Sequence, residues 1–198
     1  MARVYRDVNK VRAELVLKFP RIPFDTLVIK SPSDGDYQCI AWSEGYTDRL
    51  SWPAEGYSWP TGLPLADPPE MATVDHFLLR FSLLGYRPCG LDDSFEFGYQ
   101  KVAIYVNDQG VTHMARQHLL GLGWLSKLGD MEDILHRNLE DIEGEMSVAG
   151  YEYGRVAMVL KRTWWSAIVK LCLFRCIWNA FKFWLYRLNK DWATVKEH

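Results

Sequence analysis

The sequence predicts an α+β fold in which helices come first and a small antiparallel sheet follows. Apolar residues recur at helical spacing over residues 8–19 and 71–84, and the period changes to two over residues 101–106 and 111–117. Helices followed by consecutive short strands are typical of α+β proteins, whereas helices and strands alternate in α/β proteins. With 198 residues, 48% of them hydrophobic and 24% charged, the chain has the composition of a folded globule, which excludes global disorder.

A further helix is predicted to begin near Cys39. Residues 31–36 are rich in turn formers, so Asp34 or Asp36 is the expected N-cap, and Cys39 then lies in the first turn. Residues 46–69 contain five of the nine prolines together with several aromatic residues. Disordered linkers are poor in aromatics, so we expect an ordered loop that its aromatic side chains anchor.

The strands are predicted from alternating apolar residues and from the turn residues between them. The turn at residues 107–110 indicates a hairpin, and seven acidic residues among apolar ones at 130–145 indicate a short helix with a solvated acidic face. The predicted strands are residues 24–30, 101–106, 111–117, 123–128 and 155–160.

The small net charge of −2 hides two unlike parts of the chain. Residues 1–160 carry 15 Lys and Arg against 23 Asp and Glu, which gives −8, and residues 161–198 carry 8 against 2, which gives +6. The second part also contains nine aromatic residues, five of them tryptophan. We therefore predict an α+β domain at residues 1–161 and a basic, aromatic-rich helical tail at residues 162–198.

The four cysteines and the N-terminus predict a reducing, cytoplasmic address. The cysteines are unevenly spaced, and the first residues are charged, unlike a secretory signal. Cys172 and Cys176 stand four residues apart without a neighbouring histidine, so a zinc site is not expected. We predict neither a metal nor another cofactor.

The candidate catalytic residues follow from their order along the chain. A cysteine at a helix N-terminus has a stabilised thiolate, and a histidine held on a strand is a suitable base. Papain-like cysteine hydrolases have the same order along the chain, which here is Cys39, then His113, then Ser126 or Asp133 to orient the imidazole. The oxyanion donor would be Gln38 or the backbone amide of Cys39. The alternative is that Cys39 lies on the buried side of its helix and has no chemical role.

Several motifs resemble a family of uncharacterised bacterial domains over residues 15–161. They include Cys39-Ile-Ala-Trp, Thr112-His-Met-Ala-Arg-Gln and Trp124-Leu-Ser-Lys-Leu-Gly. The resemblance implies a bacterial-type protein without an established activity. Family members typically have Asn and Ala where this chain has Gln38 and Met114. If the family is a hydrolase, the resemblance places the site on Cys39, His113, Ser126, Lys127, Asp133 and His136, although the last two have an alternative, solvated role in the acidic segment.

The tail is predicted to form an imperfectly amphipathic helix over Trp164–Leu188, with basic residues on one side and apolar residues on the other. Lysine and arginine at membrane depth are costly, so the helix is expected to lie in a membrane interface or on a partner; docking on the chain's own body is the alternative. Nucleic acid is not expected, because the body is acidic. The predicted contact residues are Trp164, Trp165, Arg175, Trp178, Lys182, Trp184 and Arg187.

Two functions remain open from the sequence. The first is a papain-like cysteine hydrolase or amidase that acts on a peptide, an isopeptide or a glutamine side chain. The second is a catalytically silent bacterial binding module, such as an effector, toxin or defence component, that its amphipathic tail recruits to a membrane or a partner.

Overall fold

A seven-stranded antiparallel sheet forms the centre of the protein, with strand order β1-β6-β5-β4-β3-β7-β2. The computed structural model describes residues 7–144 and 153–164. The strands are β1 (Val28–Ser31), β2 (Arg87–Pro88), β3 (Tyr99–Asn107), β4 (Gly110–Gln117), β5 (Trp124–Lys127), β6 (Asp133–His136) and β7 (Arg155–Thr163). The α-helices of these described segments are α1 (Val8–Lys18), α2 (Cys39–Glu44) and α3 (Val74–Leu83). The α+β prediction is confirmed in this broad sense.

The sheet has two buried faces, because helices cover both of them. Ile104 pairs with Met114 and Tyr105 with His113 across β3 and β4. Since successive strand residues point to opposite faces, these two pairs lie on different sides of the sheet. Tyr105 belongs to the core that α1 covers, and Met114 belongs to the core that α2 and α3 cover. We call these two sides the α1 face and the α2 face.

Helix α1 covers its face with a narrow apolar stripe. The Asp7 carboxylate caps its N-terminus by accepting hydrogen bonds from the amides of Asn9 and Lys10 at 2.8 and 3.4 Å. Val11 and Leu15, four residues apart, are buried against the sheet. The helix predicted over residues 8–19 is therefore confirmed.

Helix α2 begins at Cys39, which therefore lies in the first turn as predicted, but the prediction of Asp34 or Asp36 as the N-cap is wrong. The Gln38 side chain accepts hydrogen bonds from the amides of Ile40 and Ala41 at 2.7 and 3.3 Å and caps the helix. The Asp34 carboxylate accepts the amide of Asp36 instead, which closes a turn four residues before the helix. A long side chain directly before the helix reaches the free amides that the aspartates are too distant to meet.

Residues 46–69 form the ordered loop that the sequence predicts. The rings of Trp52 and Trp59 lie edge-on to Phe77 of α3, with centroids 5.5 and 5.7 Å apart. Helix α3 buries Phe77 and Phe81, and its observed bounds lie inside the predicted 71–84. The loop is thus held to the α2 face by aromatic packing.

The helix predicted at residues 130–145 is wrong. Residues 133–136 form strand β6, which pairs with β5 and β1, and a short 3-10 helix, Leu139–Ile142, follows. Asp133 and His136 are buried, so the solvated role considered for them is also wrong. Ile134 is buried on one face of the sheet and Asp133 on the other, so side chains here alternate with the period of a strand. The many acidic residues of this segment hide that period in the sequence.

Candidate functional site

Cys39 lies at the start of α2 and is enclosed by apolar residues of the α2 face. Its side chain is 8% exposed and belongs to the same core as Ile104 and Met114. Desolvation by burial raises the pKa of the thiol to about 11, although backbone hydrogen bonds from Met114 and Ile40 and the charge of Lys127 act in the opposite direction. The thiol is therefore protonated at neutral pH.

His113 lies on the α1 face in the middle of β4. Its ring stacks on the Tyr153 ring, with the centroids 4.1 Å apart, and lies edge-on to the Tyr105 ring, with the centroids 5.5 Å apart. Neither ring nitrogen has a hydrogen-bond partner among the residues that the structure describes. Burial, with a smaller contribution from His136, lowers the pKa of His113 to about 3. At neutral pH this histidine is an uncharged aromatic side chain in the core.

The structure does not bring the predicted nucleophile and base together. Cys39 packs on the face that Met114 joins, whereas the neighbouring His113 points to the other face. The backbone of β4 therefore separates the thiol from the imidazole. The predicted Cys39–His113 dyad is absent from this geometry, because a general base must lie within hydrogen-bond reach of the proton that it removes.

The remaining predicted site residues are divided between the same two faces. Asp133 shares the α2 face with Cys39, where its Oδ2 accepts a 2.7 Å hydrogen bond from the Tyr37 hydroxyl and its Oδ1 lies 4.0 Å from Lys127 Nζ. The Lys127 ammonium also lies 4.9 Å from the centroid of the Tyr37 ring and donates to the Met131 carbonyl. Burial lowers the pKa of Lys127 and raises that of Tyr37.

Ser126 shares the α1 face with His113 but orients a different histidine. Its hydroxyl lies 2.9 Å from His136 Nε2, and His136 Nδ1 lies 2.7 Å from the Asn138 carbonyl. A carbonyl only accepts, so Nδ1 carries the proton and Nε2 accepts from Ser126. Burial lowers the pKa of His136 to about 4. The pair Ser126 and His136 is thus a satisfied hydrogen-bond chain inside the core.

The Gln38 side-chain amide is engaged at both of its ends. Its Oε1 caps α2, and its Nε2 donates a 2.6 Å hydrogen bond to the Ser51 carbonyl. Both ends of the amide hold the loop after α2 against the helix start. The amide that was predicted to bind an oxyanion therefore has a structural role, which is to cap α2 and to hold residue 51 beside it.

A surface cleft of about 310 Å³ lies between α1 and the turn that joins β5 to β6. Its lining is more polar than apolar and includes the charged residues Glu14, Lys18, Asp130 and Glu132. The cleft includes none of the predicted catalytic residues. Within residues 7–144 and 153–164, no group of three or more His, Cys, Asp and Glu side chains is arranged to hold a metal ion.

The predicted tail contacts lie almost entirely outside the described residues. Trp164, directly after β7, is the last residue that the structure describes. The other predicted contacts, which lie outside, are Trp165, Arg175, Trp178, Lys182, Trp184 and Arg187. None of the helices in the described segments is long and apolar enough to cross a bilayer.

Sequence reasoning missed two features of the structure. Tyr37, which holds Asp133, stands two residues before Cys39 in the chain and received no role. The turn between β4 and β5 exposes Leu119, Leu120 and Leu122. The sequence carries a signal for the second feature, because three leucines in the short connection between two predicted strands are unusual for a solvent-exposed loop.

Comparison with known proteins identifies the family of the domain. Residues 28–161 match a family described as a domain of unknown function (DUF7689), and this match covers most of the sheet and both helices of the α2 face. Neither the curated proteins nor the solved structures contain a significant match to the chain. The resemblance to an uncharacterised domain family is thereby confirmed, and the chain belongs to the DUF7689 family.

Proposed function

We propose that the protein is a catalytically silent binding module of a bacterial system, such as an effector, toxin or defence component. The observation that carries this proposal is the position of Cys39 and His113 on opposite faces of the sheet. A thiol with a pKa of about 11 and an imidazole with a pKa of about 3 are both uncharged at neutral pH. Neither group is then poised for nucleophilic or general-base chemistry.

The scaffold of this module is proposed to be papain-like without a working dyad. A cysteine that begins a helix, packed against antiparallel strands, supports that relationship. In this proposal the polar residues near Cys39 stabilise the fold. Gln38 caps α2 and binds Ser51, while Tyr37 binds Asp133.

Recruitment is proposed to occur through residues 162–198. Its support is compositional: residues 161–198 carry a charge of +6 and nine aromatic residues, whereas residues 1–160 carry −8. A basic segment rich in Trp and Phe suits an anionic membrane surface, and it equally suits an acidic partner protein.

An electrophilic probe that mimics a peptide amide tests the absence of catalysis. We expect the probe to label Cys39 no faster than the partly exposed Cys89, and His113→Ala to leave the Cys39 rate unchanged. Peptide, isopeptide and glutamine-amide substrates should be stable in the presence of the full chain. Selective labelling of Cys39 that His113→Ala abolishes would contradict this proposal and support the hydrolase.

Vesicle flotation tests the recruitment. The full-length protein and its triple variant Arg175→Glu, Lys182→Glu, Arg187→Glu are mixed with vesicles of anionic and of neutral lipid. Flotation of the wild type on anionic vesicles, lost in the triple variant, supports membrane recruitment. If both proteins stay in the soluble fraction, a protein partner remains the target of the tail. Arg49→Glu, a charge reversal within the body, is the control.

A further inference from the structure

Two loops at one end of the sheet expose a group of large apolar side chains. The loop between β2 and β3 (residues 89–98) and the turn between β4 and β5 (residues 118–123) meet there, because β3 starts where β4 ends. Single exposed apolar residues are ordinary, whereas several together mark an interaction surface. We define the loop patch as Leu91, Phe95, Leu119, Leu120 and Leu122, which are between 45% and 71% exposed.

The two loops form one continuous surface. The Gln117 side chain at the end of β4 donates a 2.7 Å hydrogen bond to the Asp93 carbonyl in the other loop. The Phe95 ring lies directly on Gly121, where an added Cβ would be 2.6 Å from the ring. Gly121 also has a φ of +67°, so glycine serves both the turn and the close approach.

Internal hydrogen bonds hold this surface in shape. Asp92 accepts a 2.9 Å hydrogen bond from Lys101, and Glu96 binds Lys161 at 2.6 Å. In the turn, the His118 amide donates to the Gly123 carbonyl at 2.8 Å and the Gly121 amide donates to the His118 carbonyl at 2.9 Å. A surface that is ordered before binding loses less entropy when a partner docks.

The charges around the loop patch select the kind of partner. Residues 89–98 and 118–123 contain three acidic residues and no lysine or arginine. Asp92 and Glu96 are paired with lysines, and the exposed Asp93 carboxylate has no ion pair among the described residues. Residues 1–160 as a whole carry −8. Like charges disfavour both a second copy of this surface and an anionic lipid surface, whereas a basic partner is attracted.

We propose that the loop patch docks the apolar face of a helix from a partner protein, with lysine or arginine residues of that helix flanking it beside Asp93. Leucine and phenylalanine side chains at this density match the apolar stripe of an amphipathic helix. The inference rests on the proposed function, since it names the surface and the partner class of the binding module.

The probe is a synthetic amphipathic helix with leucines on one face and lysines on the other. It is titrated into the full-length protein while amide chemical shifts are recorded. We expect shifts to concentrate in residues 91–97 and 118–123. A second peptide with the same leucine face and glutamate in place of lysine should bind at least about ten-fold more weakly, because only its charge differs.

Variants locate the contact. Leu120→Ser and Leu122→Ser, at exposed positions where folding is little affected, should each weaken binding of the lysine peptide roughly ten-fold. Asp93→Asn should weaken it less and should reduce its salt dependence. Leu17→Ser is the matched control, since Leu17 on α1 is 82% exposed and lies outside the loop patch.

Three results would overturn the proposal. The first is a shift map centred elsewhere or unaffected by Leu120→Ser. The second is a homodimer, seen by light scattering, that Leu120→Ser dissociates, since the occupant would then be a second copy. The third is equal binding of both peptides or binding to neutral vesicles through the same leucines. None of these results concerns the Cys39 probe reaction, so a failed docking surface and an active hydrolase are distinguishable.

Discussion

The Tyr37 hydroxyl donates a 2.7 Å hydrogen bond to the Asp133 carboxylate and so fastens the segment before α2 to strand β6. Both residues are buried, and the other carboxylate oxygen lies 4.0 Å from Lys127 Nζ. Polar groups next to Cys39 are therefore engaged with one another. These contacts hold the start of the cysteine-bearing helix α2 against the sheet.

Removing the Tyr37 hydroxyl should destabilise the fold. Tyr37→Phe leaves a buried carboxylate without its neutral donor, and an unsatisfied buried group costs roughly 1–3 kcal/mol. Urea denaturation measures the loss, and Tyr57→Phe is the control because Tyr57 is exposed. Equal stability of the two variants would contradict a structural role for the Tyr37–Asp133 hydrogen bond.

Stability should fall in mild acid because two histidines are buried uncharged. The pKa values of His113 and His136 are lowered to about 3 and about 4, while an unfolded histidine titrates near 6.5. Below pH 6.5 the unfolded state therefore binds more protons than the folded state. The contribution of the two histidines to the free energy of unfolding is fully present above that pH and decreases as the pH falls towards 4. Each histidine contributes about 1.4 kcal/mol per pH unit in this window.

Phenylalanine substitutions separate the two histidines. His113→Phe loses no hydrogen bond to any described residue and keeps the ring contacts, so it should match the wild type at pH 7 and become the more stable protein at pH 5. His136→Phe leaves the Ser126 hydroxyl and the Asn138 carbonyl unpaired, which should cost roughly 1–3 kcal/mol for each group even at pH 7. A His113→Phe protein with the pH dependence of the wild type would count against burial of an uncharged His113.

The buried Glu44–Arg80 ion pair should contribute more to the stability of the fold than the exposed Asp48–Arg49 pair does. Glu44 is fully buried, receives two hydrogen bonds from Arg80 at 2.5 and 3.0 Å and accepts a third from Ser51. Arg80→Met strands this carboxylate and should cost about 3–5 kcal/mol, part of which the double variant Glu44→Met, Arg80→Met recovers. Arg49→Met breaks an exposed pair and should leave the midpoint of thermal denaturation almost unchanged, because solvent screens that pair.

Much of the fold follows from local patterns in the sequence. Helices α1 and α3 have apolar residues three and four positions apart, and the β3–β4 hairpin has a strong turn between two alternating runs. The turn residues before Cys39 predict that it lies in the first turn of a helix, although Gln38 rather than an aspartate forms the cap. These features depend on neighbours in the chain, which explains why periodicity and turn chemistry identify them.

The site could not be predicted because strand β4 is buried on both faces. Val111, His113, Met114 and Ala115 are all buried, so apolar alternation does not reveal which face each side chain occupies. A register irregularity between Tyr105 and Val106 adds a further shift within the hairpin. In a strand, a displacement of one residue moves a side chain to the other face. On β4 this places the His113 imidazole on the face opposite to the Cys39 thiol.

The pH dependence of Cys39 alkylation tests the central claim most directly. We expect the rate in wild type and in His113→Ala to rise together with a midpoint near pH 11, because the imidazole is on the other face. Met114→His, which places a histidine on the face of Cys39, should move the midpoint towards neutrality. A wild-type midpoint near neutral pH that shifts upward in His113→Ala would contradict the separation of Cys39 and His113.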